Sequence, residues 1–469
     1  MKRLLLVAPF LLCSLVTAQS NSPKAAPAPT SSASAPEDVR KILADRVDLY
    51  KRSVGIVVGV IGPQGSKIYS YGKPAKDSSA VLDGDTVYEI GSMTKVFTSL
   101  ILADMVQRGE VKLDDPVSKF LPATVKVPER NGRKITLLDL STQTSGLPYM
   151  PNNLNPRDRL NPFADYTVEQ LYAFVSGYEL TRDIGSKYEY SNIGVGLLGH
   201  ALALHAGMDY EKLVQTRILG PLKMSSTGIT LTPEMRSHLA HGHTAGLAPM
   251  PNWDLPTLAG AGALRSSVND MLKFLGDNIG LTPTPLAPAM KSMLDVRKPT
   301  GIPNLEIAMA WHIFTKDGEQ IIWHNGGTGG YHTFMGFDPR TRTGVVVLSN
   351  ATNDIDDIGL HLLDSHNELA RLTVPKEHHE AKVDSKIFDS YAGHYELQPG
   401  TIAEVKHQGD ALFIQLTGQP QFQIFPESET DFFLKVVDAQ VTFVKGPDGK
   451  VTNFVLHQGG FDVPAKKTD

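Results

Sequence analysis

The sequence predicts an α+β protein in which an antiparallel sheet surrounds a long helical insertion, followed by a small all-β domain. Three observations predict it. Apolar or alternating runs of strand length stand at Val54 to Tyr71 and again at Gln320 to Trp323, Thr333 to Phe337 and Gly344 to Ser349. The section between them is mostly helical and loop-rich, so the early and late strands are expected to join one sheet around it. After Val374 the pattern changes to short alternating runs separated by turns, such as Ala411 to Leu416 and Val451 to Leu456.

Taken in order, Met1-Lys-Arg, the apolar run Leu4 to Val16 and the small residues up to Ala18 read as a secretory leader, residues 1–18. It is too short to span a bilayer and no stop-transfer run follows, so a periplasmic or secreted protein without a retained membrane anchor is expected. Residues 19–36, rich in Pro, Ala and Ser, predict a disordered linker. Val54 to Tyr71 folds back at Gly62-Pro-Gln-Gly65, a hairpin signal. Val96 to Gln107 is too apolar for a surface helix and is expected to be buried. Many Pro and Gly residues between Leu147 and Pro162 mark loops, and small residues from Gly194 to Gly207 mark a helix. Asp356 to Leu372 reads as helical, and residues 385–469 form the all-β domain.

Composition narrows the function classes. With 469 residues, 41% of them hydrophobic, the chain can bury a large core in two domains. A net charge of −5 without an extended basic run argues against nucleic acid as a partner. The one cysteine, Cys13, falls in the leader, so a disulfide, a thiol nucleophile and a cysteine metal site are all excluded from the mature chain.

The chemistry starts at Tyr88-Glu-Ile-Gly-Ser-Met-Thr-Lys95, where Ser92 and Lys95 stand three residues apart at a helix start and share one face. A serine hydroxyl is a weak nucleophile until a neighbour accepts its proton, and a lysine desolvated enough to lose its charge can do so. Ser92 is therefore the candidate nucleophile and Lys95 its activator. The helix dipole favours negative charge developing there. Further along come Tyr190-Ser-Asn192, before the small-residue helix, and His324-Asn-Gly-Gly327, after the apolar run Gln320 to Trp323.

This ordered set, Ser-x-x-Lys, Tyr-x-Asn and His-x-Gly, resembles the serine β-lactamase and penicillin-binding-protein-like hydrolases, nearest to the class C branch with its D,D-peptidase, D-aminopeptidase and esterase relatives. The resemblance covers roughly residues 37–375 and also rests on Leu137-Leu-Asp-Leu-Ser-Thr-Gln-Thr-Ser-Gly-Leu-Pro148, Ala261-Gly-Ala-Leu264 and Gly336-Phe-Asp-Pro339. It implies a β-lactamase/transpeptidase-like fold, with the nucleophile helix between a sheet-containing part and an all-helical part, and a C-terminal β appendage.

It further implies Tyr190 as general base and acid, its pKa depressed by the neighbouring Lys95 cation. Asn192 would orient Lys95 and contact a substrate amide, with Gln143 as a further substrate contact. The backbone N–H groups of Ser92 and Gly327 would form the oxyanion hole, Gly326 and Gly327 leaving the strand edge bare for substrate. His324 departs from the family pattern, which usually has lysine there. A histidine of ordinary pKa is partly charged at neutral pH, so efficient β-lactam hydrolysis is not expected.

Three other features read as structural. Ser267-Val-Asn269 looks like a helix start capped by Ser266, running to Leu275; His238, His241 and His243 lack a carboxylate at ligand spacing; His378-His-Glu380 reads as a solvated linker. No metal or cofactor is implied. The expected function is an exported serine hydrolase that forms an acyl-enzyme at Ser92 and cleaves D-amino-acid peptides of D-Ala-D-Ala carboxypeptidase or endopeptidase type, or β-lactams. A carboxylesterase of the same family, or a non-hydrolytic penicillin-binding sensor, is the alternative. The sequence does not fix the oligomeric state.

Overall fold

The computed structural model describes residues 36–469 apart from 377, 399–400, 418–420, 436–438 and 459–460, so the expected leader and nearly all of the linker lie outside the described residues. The chain divides into two compact units, the first ending at Val374 and the second running over Pro375–Asp469.

In the first unit the early and late runs do join. The eight-stranded sheet has the spatial order Gly65–Gly72, Gly55–Gly62, Thr343–Ser349, His332–Asp338, Glu319–Gly327, His312–Lys316, Leu305–Ile307 and Lys298–Pro299, each neighbouring pair antiparallel. The chain can return to the hairpin from the far end of the sequence because Ile56 pairs with Ser349 and Ile61 with Gly344. The strands Gly55–Gly62 and Thr343–Ser349 are largely apolar because both faces are covered. Val57, Met335, Val346 and Leu348 enter the main core, whereas Ile56, Val58, Phe334, Val345 and Val347 enter a second core. On the main-core side the helix Val268–Asn278 packs so closely that a Cβ on Gly59 would lie 2.5 Å from Val268 Cγ1. On the reverse side lies the helix Asp356–Leu363.

The helix Thr94–Gln107 is buried from Thr94 through Met105, as its composition predicts. It is entered through a tighter turn, Gly91–Met93. The helix Asn192–Ala206 is capped by Ser191 Oγ, which accepts from Gly194 N at 2.9 Å, and stops at the left-handed Gly207. The helix expected over Asp356 to Leu372 ends at Leu363, because Asp364 is extended and its carboxylate accepts from the N–H of His366.

The second unit is a closed barrel of eight strands, from Gly393–Gln398 to Phe461–Lys467, each paired with its neighbours in sequence. Side chains fill it: Tyr395, Phe432, Phe443 and Phe454 belong to one buried cluster. Its approach segment is not the solvated linker expected. His378 stacks on Phe433 at 4.7 Å and bonds Glu427 at 3.1 Å, while His379 and Glu380 are exposed.

Candidate active site

The site begins where two backbones touch. The short strand Val87–Glu89 pairs with Arg265–Ser267, and the chain then turns at Gly91 with φ near 49°. A Cβ there would sit 2.8 Å from both N and O of Gly327, and a Cβ on Gly326 would sit 2.0 Å from Ile90 O. Only bare glycines allow this approach, which sets the Ser92 turn against the end of the His324 strand. Thr333 Oγ1 ties the two together by donating to Ile90 O at 3.1 Å and Gly326 O at 3.3 Å. Nothing in the sequence around Thr333 marks that role, which exists only through strand pairing.

Ser92 is partly exposed in a run of buried residues, and Lys95, wholly buried, turns back to it. Lys95 Nζ donates to Ser92 Oγ at 2.8 Å and to Ala261 O at 2.7 Å. Among the described residues no carboxylate pairs with it, and burial drives its pKa well below the usual lysine value. The Ala261 carbonyl went unread because a backbone oxygen has no sequence signal.

Tyr190 lies against the same amine, with Lys95 Nζ 4.8 Å from its ring centre. Its pKa is pushed well up by burial, only partly offset by the nearby Ser92 hydroxyl. The depression expected from a neighbouring cation is therefore not found, since the tyrosine's own burial outweighs it. Burial thus disfavours the charged form of both groups.

Asn192 lies at the helix start and does not reach Lys95. Its amide donates to Met150 Sδ at 3.5 Å, so the lysine is oriented by Ala261 instead. Gln143, 1% exposed and at φ 59°, accepts from Ser191 N at 2.8 Å through its side chain and from Glu189 N at 2.8 Å through its carbonyl. The structure shows it supporting the Tyr190 loop.

His324, 1% exposed, faces Tyr190 with ring centres 6.4 Å apart, and its Nδ1 bonds Asn325 O at 2.5 Å. Burial lowers its pKa well below the histidine norm, with His312 and Lys95 adding to the effect. The partial charge expected at neutral pH is corrected to none. His312, its ring 5.3 Å from His324, is likewise lowered by burial, to about 4.

The remaining features are structural or new. Ser267, not Ser266, caps the helix by accepting from Asp270 N at 3.3 Å, and that helix runs on to Asn278. Ser266 Oγ bonds Thr227 instead. His243 is buried with its Nδ1 on Asn350 O, and His238 bonds Glu234 O. One trio not singled out in the sequence, His332, Asp354 and Asp356, has ligand atoms within 4.8 Å of one another.

A family model described as Beta-lactamase matches residues 39–364. The chain belongs to this family. A second model, a domain of unknown function (DUF3471), matches residues 377–467, the barrel unit. Among relatives of this beta-lactamase-family chain, the D-alanyl-D-alanine-carboxypeptidase/endopeptidase AmpH of Escherichia coli is 30% identical over 327 residues, 66% of this chain and 83% of that protein. A penicillin-binding protein of Bacillus subtilis is 26% identical over 441 residues, covering 87% and 94% respectively. A solved beta-lactamase/D-alanine carboxypeptidase from Yersinia pestis superposes with a TM-score of 0.60 at 25% identity, over 71% of this chain and 99% of that one. A class C beta-lactamase from Rhodobacter sphaeroides, at 24% identity and TM-score 0.60, shares the fold. The protein is a serine hydrolase of the beta-lactamase family.

Proposed function

We propose that this is an exported serine acyl-hydrolase, periplasmic or secreted, which forms an acyl-enzyme at Ser92 and cleaves amide bonds of D-amino-acid peptides of the peptidoglycan type. The observation that carries it is the buried amine of Lys95, without a carboxylate partner among the described residues, 2.8 Å from the Ser92 oxygen. A neutral amine has a lone pair to take the hydroxyl proton as Oγ bonds to the substrate carbonyl carbon. The carbonyl electron pair moves onto oxygen, where the N–H groups of Ser92 and Gly327 receive it. Collapse of this intermediate breaks the bond to the leaving amine, which takes a proton from Lys95 by way of the Tyr190 hydroxyl. Water then repeats the sequence in reverse roles: its proton goes to the amine, its oxygen to the acyl carbon, and Ser92 recovers a proton as it leaves. The leader sequence supports export, and the similarity to the E. coli carboxypeptidase/endopeptidase supports the substrate class.

One observation favours a second reading, a carboxylesterase. The neutral, buried His324 gives no fixed positive charge for a substrate carboxylate, which simple acyl esters lack. The test is one panel of a D-Ala-D-Ala peptide, p-nitrophenyl butyrate and a chromogenic cephalosporin, run with the native protein and Ser92→Ala. Release of D-alanine that disappears in the variant is expected. Ester turnover without peptide turnover would move the assignment to an esterase, and turnover surviving in Ser92→Ala would overturn both readings.

A further inference from the structure

The His324 strand has a second side. Alternate residues of a strand point to opposite faces. Thr333, opposite Gly326, reaches towards the nucleophile turn, while Asn325 and His332 lie on the reverse face with Phe334. There Asp356, the first residue of its helix and 8% exposed, accepts two side-chain hydrogen bonds. Asn325 Nδ2 donates to its Oδ2 at 2.5 Å and His332 Nε2 to its Oδ1 at 2.9 Å. Asn325 also receives His324 Nδ1 on its carbonyl, and His332 is the register partner of Gly327. One carboxylate thus grips both strands at the two positions that flank the end of the site.

We propose that Asp356 is a positioning residue that holds the Asn325–Gly327 end of the strand from behind, and that His332 makes this hold dependent on pH. The proposal rests on the reading that Gly327 N–H meets the developing oxyanion. Burial alone would lower the His332 pKa. Asp356, through charge and hydrogen bond, together with Asp354 and Asp357, outweighs it and raises the pKa above the histidine norm. These acids face it from the loop and helix behind the sheet, where Asp357 is itself paired with Arg46. Burial also raises the Asp356 pKa, so the ionic grip is at full strength between the Asp356 and His332 pKa values, and it is lost as pH rises through the latter or falls through the former.

The test compares wild type with Asp356→Ala, Asp356→Asn, His332→Ala and His332→Gln, using p-nitrophenyl butyrate from acid to alkaline pH, with unfolding midpoints measured alongside. Asp356→Ala should lower kcat about 10- to 100-fold while KM changes less than about threefold, since only an interaction made in the transition state is displaced. Asp356→Asn keeps the volume if the alanine variant folds poorly, and should also lose kcat. His332→Gln can still donate but cannot titrate, so it should recover most of the loss of His332→Ala and drop the alkaline fall tied to His332. Ser92-dependent turnover with unchanged kcat in both Asp356 variants, or a wild-type pH profile in His332→Gln, overturns this proposal alone. Inactivation by a chelator, reversed by a divalent ion, overturns it by assigning the trio to a metal. Absence of any Ser92-dependent turnover removes the underlying reading as well.

Discussion

Gly91→Ala tests the geometry of the site most directly. The glycine lies at φ +49°, and an added Cβ would stand 2.8 Å from both N and O of Gly327, where ordinary contact begins at 3.4 Å. The partner is backbone, so the nucleophile turn and the strand end must separate by about 0.6 Å, enough to weaken an oxyanion hydrogen bond without abolishing it. Losing most of one such donor is worth about 2 to 3 kcal/mol, or about 30- to 150-fold in kcat. The left-handed conformation adds a stability cost of about 1 to 2 kcal/mol. Gly132→Ala separates the two effects, for Gly132 has φ +72° and nothing within 4 Å of the added Cβ. Gly132→Ala should show the conformational drop in unfolding midpoint alone and Gly91→Ala a larger one, but only Gly91→Ala should lose kcat, with KM little changed. The assay is steady-state hydrolysis of p-nitrophenyl butyrate beside thermal unfolding. Full activity in a folded Gly91→Ala protein would refute the placement of Gly327 in the oxyanion hole.

Other outcomes follow from the same geometry. A fluorophosphonate should label Ser92 and not Ser267, whose hydroxyl is committed to a helix cap; peptide mapping reads this directly. Lys95→Ala and Tyr190→Phe should each cost about 10³-fold or more in turnover and the pair little more, because groups acting as one unit are non-additive; fully multiplicative losses would count against a shared proton path. The folded pKa of Lys95 is depressed, so the unfolded chain binds a proton that the folded one does not, from that depressed value up to the usual 10.5. Stability of the native protein relative to Lys95→Met should therefore rise with pH across that window by up to about 1.4 kcal/mol per unit, measurable by urea unfolding. His324→Lys should raise turnover of carboxylate-bearing β-lactams over that of esters by about 5- to 100-fold. Because burial lowers the His324 pKa, any gain on carboxylate substrates with falling pH should set in below the range in which an ordinary histidine titrates.

The sequence by itself determined what depends on neighbours along the chain. Ser92 and Lys95 share a face because residues three apart on a helix do, and the buried helix behind them shows in its unbroken apolar run. The strands near the two ends were legible as runs of strand length, and the turn-punctuated pattern after Val374 announced an all-β unit. Tyr190 and His324 were found as motifs, and the fold supplied their proximity. Beyond that, tertiary structure decided. Burial disfavours the charge on Lys95, and the burial of Tyr190 and His324 themselves reverses the sign expected for the one and removes the partial charge expected on the other. The carbonyl of Ala261, the hydroxyl of Thr333 and the carboxylate of Asp356 act across 166, 243 and 31 residues of chain, respectively, to reach Lys95, Ile90 and Asn325. Such contacts have no period and no spacing in the sequence, because strand register and close backbone approach fix them only once distant segments have packed.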